Sequence, residues 1–210
     1  MQSIRGGAEA GTGWLAEALE QIRAEAPAAA TEDHLCIAGR ELLIRYADFG
    51  LAEALGRATQ HLRIADLDIA ALTIDCWATP VPTFSRPLAP IGTTFADDGN
   101  VVLMWDAGGR QLLAYDRRDQ RAWARFDSLA SISTWEPAAP FRRILNWWAA
   151  DHGLQWLHAA AVGRPDGGVL LVGRSGSGKS TTALACLEAG LAFVGEDACL
   201  LESNNPPWVH

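Results

Sequence analysis

The chain is 210 residues long, 49% apolar and 20% charged, a globular composition that excludes disordered, collagen-like and coiled-coil architectures and allows one generous domain or two small ones. Seventeen basic against twenty-five acidic residues give a formal net charge of −8, which repels phosphate backbones and anionic lipid and argues against nucleic acid or a membrane as partner. Four scattered cysteines (Cys36, Cys76, Cys186, Cys199) lie in apolar runs without CxxC spacing, and neither a signal peptide nor an eighteen-residue apolar window is present, so reduced thiols and a cytoplasmic location are expected.

The first predicted element is a short amphipathic helix from Trp14 to Pro27, with Trp14, Leu15, Leu19 and Ile22 at helical spacing and Pro27 as its stop. Ala28 to Ala30 lack a polar face and read as the start of a loop. Leu35–Ile37 and Glu41–Tyr46 flank Ala38-Gly39-Arg40, a glycine-containing break between β-prone runs that predicts a hairpin. Leu51 to Leu62 returns to helical spacing, and Leu67 to Trp77 reads as a strand. Pro80, Pro82, Pro87 and Pro90 then exclude a regular element and predict a linker or crossing loop. Val101–Trp105, Gln111–Tyr115 and Ala122–Phe126, separated by turn-rich segments, predict a β-meander.

Pro137-Ala138-Ala139-Pro140 precedes a helix, Phe141 to Ala150, with Phe141, Ile144, Leu145 and Trp148 on one stripe. A domain boundary is expected there, dividing an α+β N-terminal domain, residues 1–135, from a second domain, residues 136–210. Four of the nine tryptophans (Trp135, Trp147, Trp148, Trp156) crowd this junction and are expected mainly as core.

The chemistry concentrates in the second part. Gly168 to Val172 is a continuous apolar β-run, followed directly by Gly173-Arg174-Ser175-Gly176-Ser177-Gly178-Lys179-Ser180, a match to G-x-x-x-x-G-K-[ST]. Glycines let backbone N–H groups curl around phosphate oxygens, and Lys179 supplies a point charge to the β and γ phosphates. Ser180 offers a hydroxyl to Mg²⁺, and a helix opening at Lys179 adds its positive end. The expected nucleotide-binding stretch therefore runs from Gly173 through Thr181, with ATP and Mg²⁺ as ligands. Gly190 reads as the glycine closing that helix. Leu191 to Val194 then runs into Gly195-Glu196-Asp197, only eighteen residues after Lys179, so the helix is expected to return to a neighbouring strand with two carboxylates at its end. Upstream, Leu157 to Val162 reads as one strand and Gly163 to Gly167 as a turn. Facing Val162 with Gly168 puts His158 opposite Val172, beside Gly173; a lone histidine is otherwise more often structural.

At these residues the chain resembles the HPr serine kinase/phosphorylases and their bacterial HPr-kinase-like relatives, whose P-loop fold is similar to the ATP-dependent phosphoenolpyruvate carboxykinases. The resemblance is detailed over LHAAAV, GGVLLVGRSGSGKSTTALACLEAGL and FVGEDACLLE, and weak before them. It implies an α/β P-loop kinase domain in which His158 takes the place of the family's active-site histidine, Lys179 and Ser180 bind ATP and Mg²⁺, Glu196 stands at the acid/base position and Asp197 is a metal-side carboxylate. Two departures stand out: the family pair is normally Asp-Asp, and only thirteen residues follow Asp197. One βαβ unit plus a hairpin leaves sheet edges unpaired, so a fragment or a natural truncation is expected.

Three functions compete at this level. The first is phosphoryl transfer from ATP to a serine hydroxyl of a protein or peptide. The second is a non-catalytic nucleotide- or peptide-binding module, separated from the first by labelled-phosphate transfer. The third is an ABC-type ATPase fragment, whose loop also reads GxSGSGKST but whose LSGGQ-like signature is not seen here. The identity of the substrate and assembly as a homo-oligomer stay open.

Overall fold

The computed structural model describes residues 12–66, 68–203 and 207–210. Helix α1 (Thr12–Glu25) turns its predicted stripe inward, burying Leu15, Leu19 and Ile22, and residues 26–30 are irregular. The hairpin forms from β1 (Thr31–Ile37) and β2 (Arg40–Tyr46) around Ala38 (φ +52°) and Gly39 (φ +69°). Two consecutive positive φ values are type I′ geometry, whose twist matches the strands it joins.

Helix α2 (Phe49–Leu55) is shorter than the run from Leu51 to Leu62 predicts. Asp48 caps it, accepting from the Leu51 N–H at 3.0 Å. It stops at Gly56, where a Cβ would meet the Ala52 carbonyl at 2.7 Å and an Asp33 oxygen at 2.9 Å. The Asp33–Arg63 ion pair (2.8 Å) lies against Gly56, and a 3-10 segment, Gln60–Leu62, follows. Strand β3 (Leu72–Ala78) also starts later than predicted. Leu67 lies outside the described residues, and Glu41 ties down the lead-in, its carboxylate accepting from the Asp68 N–H and its carbonyl from the Ala71 N–H.

Residues 79–92 are irregular, as four prolines require, but they are not a linker between domains: Val81, Phe84 and Leu88 pack into the same core as α1. Strand β4 (Thr93–Asp97), which the sequence pattern alone does not flag, pairs with β5 (Val101–Asp106), and β6 (Gln111–Asp116) and β7 (Arg121–Phe126) complete the expected meander. The seven strands form one mixed sheet, β1-β2-β3-β7-β6-β5-β4, in which β3 is parallel to both neighbours. One face is covered by α1 and the proline-rich loop over Trp77, Leu103, Leu112 and Trp123.

Charge is threaded through this sheet. Buried Asp75 accepts from Arg45 Nε at 2.6 Å and Arg121 Nε at 2.8 Å, and Arg23 of α1 reaches Asp116 at 2.9 Å. Arg125, only 4% exposed, is held by Glu25 and the Thr79 and Pro80 carbonyls with its guanidinium over the Trp77 ring. Burial pushes the Glu25 carboxyl up, but hydrogen bonds from Arg125 and Gln21 outweigh it, and the group sits below the usual glutamate range.

The chain divides inside α3 (Arg142–Asp151): one compact unit ends at Ile144 and the other is Leu145–His210. Trp148 is buried as predicted, whereas Trp135 is 82% exposed and is not core. In the second unit, β8 (Leu154–Leu157) pairs with β12 (Cys199–Glu202), which pairs with β13 (Trp208–Val209). The other sheet has β9 (Ala159–Arg164) between β10 (Gly167–Val172) and β11 (Ala192–Gly195). Helix α4 (Lys179–Glu188) therefore returns the chain to the far side of β9, not to a strand beside β10. The alanines of β9 serve both faces: Ala160 packs with Ala183 of α4, and Ala159 and Ala161 pack with Cys199. Val169, Val172, Phe193 and Val194 on the two outer strands are exposed.

The architecture is thus mixed α/β, with four α-helices among the described residues. No helix among them is long and apolar enough to cross a membrane. The four cysteines are free thiols, and burial pushes Cys76 and Cys199 up.

Asp75→Ala leaves two half-buried guanidinium groups unpaired and is expected to cost about 2 to 3 kcal/mol in urea unfolding; replacing Arg45 and Arg121 by methionine in the same chain removes most of that loss. Because the Glu25 carboxyl is held down in the folded state, its contribution is present above the usual glutamate pKa and is lost as pH falls through the lower folded value. Thermal unfolding of Glu25→Gln across acidic pH is expected to show a flatter acid limb than the unsubstituted protein.

Candidate functional site

Strand β10 ends at Val172, and the chain passes through Gly173 to Gly178 before α4 begins at Lys179. Gly176 (φ +76°) and Gly178 (φ +89°) take left-handed conformations that only glycine adopts without steric cost. Gly173 is required for a different reason: a Cβ there would lie 2.5 Å from Ser177 Oγ. The Ser177 N–H donates to the Arg174 carbonyl at 3.1 Å, folding the loop on itself, and the first helical bond runs from the Thr182 N–H to the Gly178 carbonyl at 2.9 Å. The amides of Lys179, Ser180 and Thr181 precede that bond, at the positive end of the helix dipole. Lys179 Nζ donates to the Gly173 carbonyl at 3.0 Å and the Arg174 carbonyl at 3.3 Å, which holds the ammonium over the loop.

A pocket of about 290 Å³ opens at this loop. Ser175, Gly176, Gly178, Lys179, Ser180 and Thr181 line it together with His158, Ala160, Glu196 and Asp197. Gly173, Arg174 and Ser177 do not line it; their backbone and the Ser177 side chain shape the loop and receive the lysine. Ala160 is the lining residue that motif reading misses.

His158 is not inside a strand. The predicted run from Leu157 to Val162 is broken at this residue, with β8 ending at Leu157 and β9 starting at Ala159. The register is also one residue away from that expected: Val162 faces Val169, and Val172 faces Ala159. A tight turn at Pro165-Asp166 closes on the pair Arg164 and Gly167 instead of the wider turn from Gly163 to Gly167, and this shifts every pair along the ladder. His158 consequently lies just beyond the ladder, free of strand alternation. Its Nδ1 is 2.9 Å from Asp197 Oδ1 and 3.0 Å from the Asp197 carbonyl oxygen.

Glu196 and Asp197 both line the pocket, although successive strand residues point to opposite faces. They escape that alternation because both lie in the bend after β11 ends at Gly195, where Asp197 takes φ +67°. The His158 and Asp197 side chains are 57% and 79% exposed, so their contact is open to water and contributes more to geometry than to stability. The arrangement sets one cation and helix-end amides against two carboxylates across a cleft, which suits an anionic ligand on one side and a hydroxyl proton or cation on the other. Among the described residues, no group of three or more His, Cys, Asp or Glu side chains could hold a metal ion by itself.

No protein-family model matches the chain, and no curated protein matches it.

Gly178→Ala places a Cβ in the left-handed region and is expected to lower the stability of the second unit by about 1 to 2 kcal/mol in chemical denaturation. Gly167→Ala, whose Cβ would meet nothing within 4 Å, is expected to stay within about 0.5 kcal/mol of the unsubstituted protein.

Proposed function

We propose that the Leu145–His210 unit is a P-loop nucleotide site of the HPr-kinase-like type, with a fold similar to phosphoenolpyruvate carboxykinase, which transfers the γ-phosphoryl group of ATP to a serine hydroxyl of a protein or peptide. The observation that carries this reading is the shared pocket: Lys179, Ser180 and Thr181 line it together with Glu196 and Asp197. The α+β first unit, which contains none of these groups, is assigned to recognition of the partner, and a cytoplasmic location accords with the same reading.

The chemistry follows from charge and reach. Loop amides and the Lys179 ammonium bind the β and γ phosphates and orient the triphosphate, which supplies most of the catalysis in phosphoryl transfer. The Ser180 hydroxyl and the Asp197 carboxylate are hard oxygen donors of the type that suits Mg²⁺, a cation held through one or two carboxylates plus substrate phosphates, and they would hold it here. Mg²⁺ when bound supplies neutralisation of phosphate charge. Glu196, one methylene longer than aspartate, reaches for the serine hydroxyl: it takes that proton as the serine oxygen forms its bond to the γ-phosphorus, the bond to the bridging oxygen breaks, and ADP leaves. His158 borders the same cleft through Asp197.

Labelled ATP and a serine-containing partner test this directly. Lys179→Ala is expected to weaken triphosphate binding far more than adenosine binding, and Glu196→Gln to abolish transfer while ATP binding stays near normal. Equal ATP affinity of the unsubstituted protein and Lys179→Ala would remove the nucleotide site; binding of ATP by the unsubstituted protein with no transfer to serine would make the unit a nucleotide-binding module instead.

A further inference from the structure

We infer that His158 is a positioning residue that holds Asp197 in its left-handed conformation and thereby turns both carboxylates onto the phosphate loop. Asp197 at φ +67° is in a region that non-glycine residues seldom occupy, though aspartate enters it more readily than most, and such a residue persists only where its surroundings over-determine it. His158 Nδ1 provides that constraint, because it faces two oxygens of this one residue, Oδ1 at 2.9 Å and the carbonyl oxygen at 3.0 Å. One contact fixes the side-chain rotamer, and the other fixes the orientation of the peptide that follows.

Both oxygens are acceptors, so the ring proton is on Nδ1 whether the imidazole is neutral or cationic. The clamp therefore does not depend on the charge of the ring. Its location also matters. His158 is the single residue between a strand that leaves with β12 and one that leaves with β10, so its backbone is fixed on both sides while Asp197 stands in the turn between β11 and β12. Without the clamp, Asp197 is free to return to φ below zero, which rotates its carboxylate away from its present place beside Glu196 in the bend after β11.

The conformational claim stands without the kinase reading; its catalytic consequence rests on it. The test is made on the full chain. In nitrogen-15 spectra of the histidine ring, the proton is expected on Nδ1; a neutral ring protonated on Nε2 would overturn the proposal without any substitution. Amide hydrogen exchange over residues 196–199 is expected to rise about tenfold in His158→Ala, the scale of losing one net hydrogen bond, and to return close to the original rate in His158→Asn, whose amide N–H can stand where Nδ1 stood. His158→Gln, whose amide sits one bond further out, is expected not to rescue. In an Asp197→Gly background, where positive φ costs nothing and only the carbonyl contact remains, replacing His158 by alanine is expected to raise exchange clearly less than in the unsubstituted chain. Equal exchange in His158→Ala and His158→Asn, or a full effect of His158→Ala in the glycine background, would refute the positioning role. If serine phosphorylation is present, His158→Ala should lower kcat about tenfold or more with little change in KM for ATP, and His158→Asn should restore it. Absence of phosphorylation in the unsubstituted protein would count against the kinase reading alone.

Discussion

Leu157 pairs with Cys199 of β12 while Ala159 pairs with Val172 of β10, and a single residue, His158, lies between these two commitments. One uninterrupted run of sequence is shared between two sheets, and the site is built at the point where it splits. Small side chains make the split feasible. Ala159, Ala160 and Ala161 are buried on alternating faces, so α4 can approach one side of β9 and Cys199 the other without collision. The loop after β10 and the turn after β11 both emerge at the end of the sheet where β9 begins, since β10 and β11 run antiparallel to β9 on either side of it. This is the carboxyl end of two parallel strands flanking a third, the location where α/β sheets bind ligands. The glycine-rich loop and the two carboxylates are therefore brought together by topology before any of their own interactions are counted.

The first unit solves a different problem. Its seven-stranded sheet carries charged residues among its central strands, and each is satisfied by a neighbour on the same face. Asp75 takes two arginines, and Arg125 is buried against a carboxylate, two carbonyls and a tryptophan ring. Burial of this sort adds little net stability but makes errors of register costly, because a slip of one residue would leave the same charges unpaired in an apolar layer. Arg125 also joins three segments distant in sequence, the end of α1, the start of the proline-rich loop and β7, so the loop that covers the core is tied to the core's own polar centre.

Much of this was legible in the residues, and the exceptions have physical causes. The first helix, the hairpin turn, the meander and the α4 helix with its left-handed Gly190 follow from periodicity and turn chemistry, which are local. Helix α2 ends at Gly56, where a side chain would collide with Asp33 and Arg63, residues that no local window contains. Strands β8, β12 and β13 are only two to four residues long and gain their identity by pairing with each other. In the site, the glycine-rich loop stands out by its spacing and the two carboxylates by their place just after a strand, and the structure brings Lys179, Glu196 and Asp197 to one pocket. The break at His158 is not, since LHAAAV is a plausible continuous strand until its two halves find different partners. The ladder was also misjudged by one residue, because Gly163 to Gly167 contains several turn-forming residues and only the tight closure at Pro165-Asp166 sets the count.

The central claim is that the loop, His158 and the carboxylates act as one site for a magnesium-bound triphosphate. An amide chemical-shift titration of the full chain with Mg²⁺ and a non-hydrolysable ATP analogue measures this most directly. The account predicts saturable shifts concentrated at residues 173–181, 158 and 196–197, with the loop residues responding to the analogue and Asp197 responding further when Mg²⁺ is added. Saturable shifts confined to the first unit, or none at residues 173–181 at millimolar analogue, would contradict it.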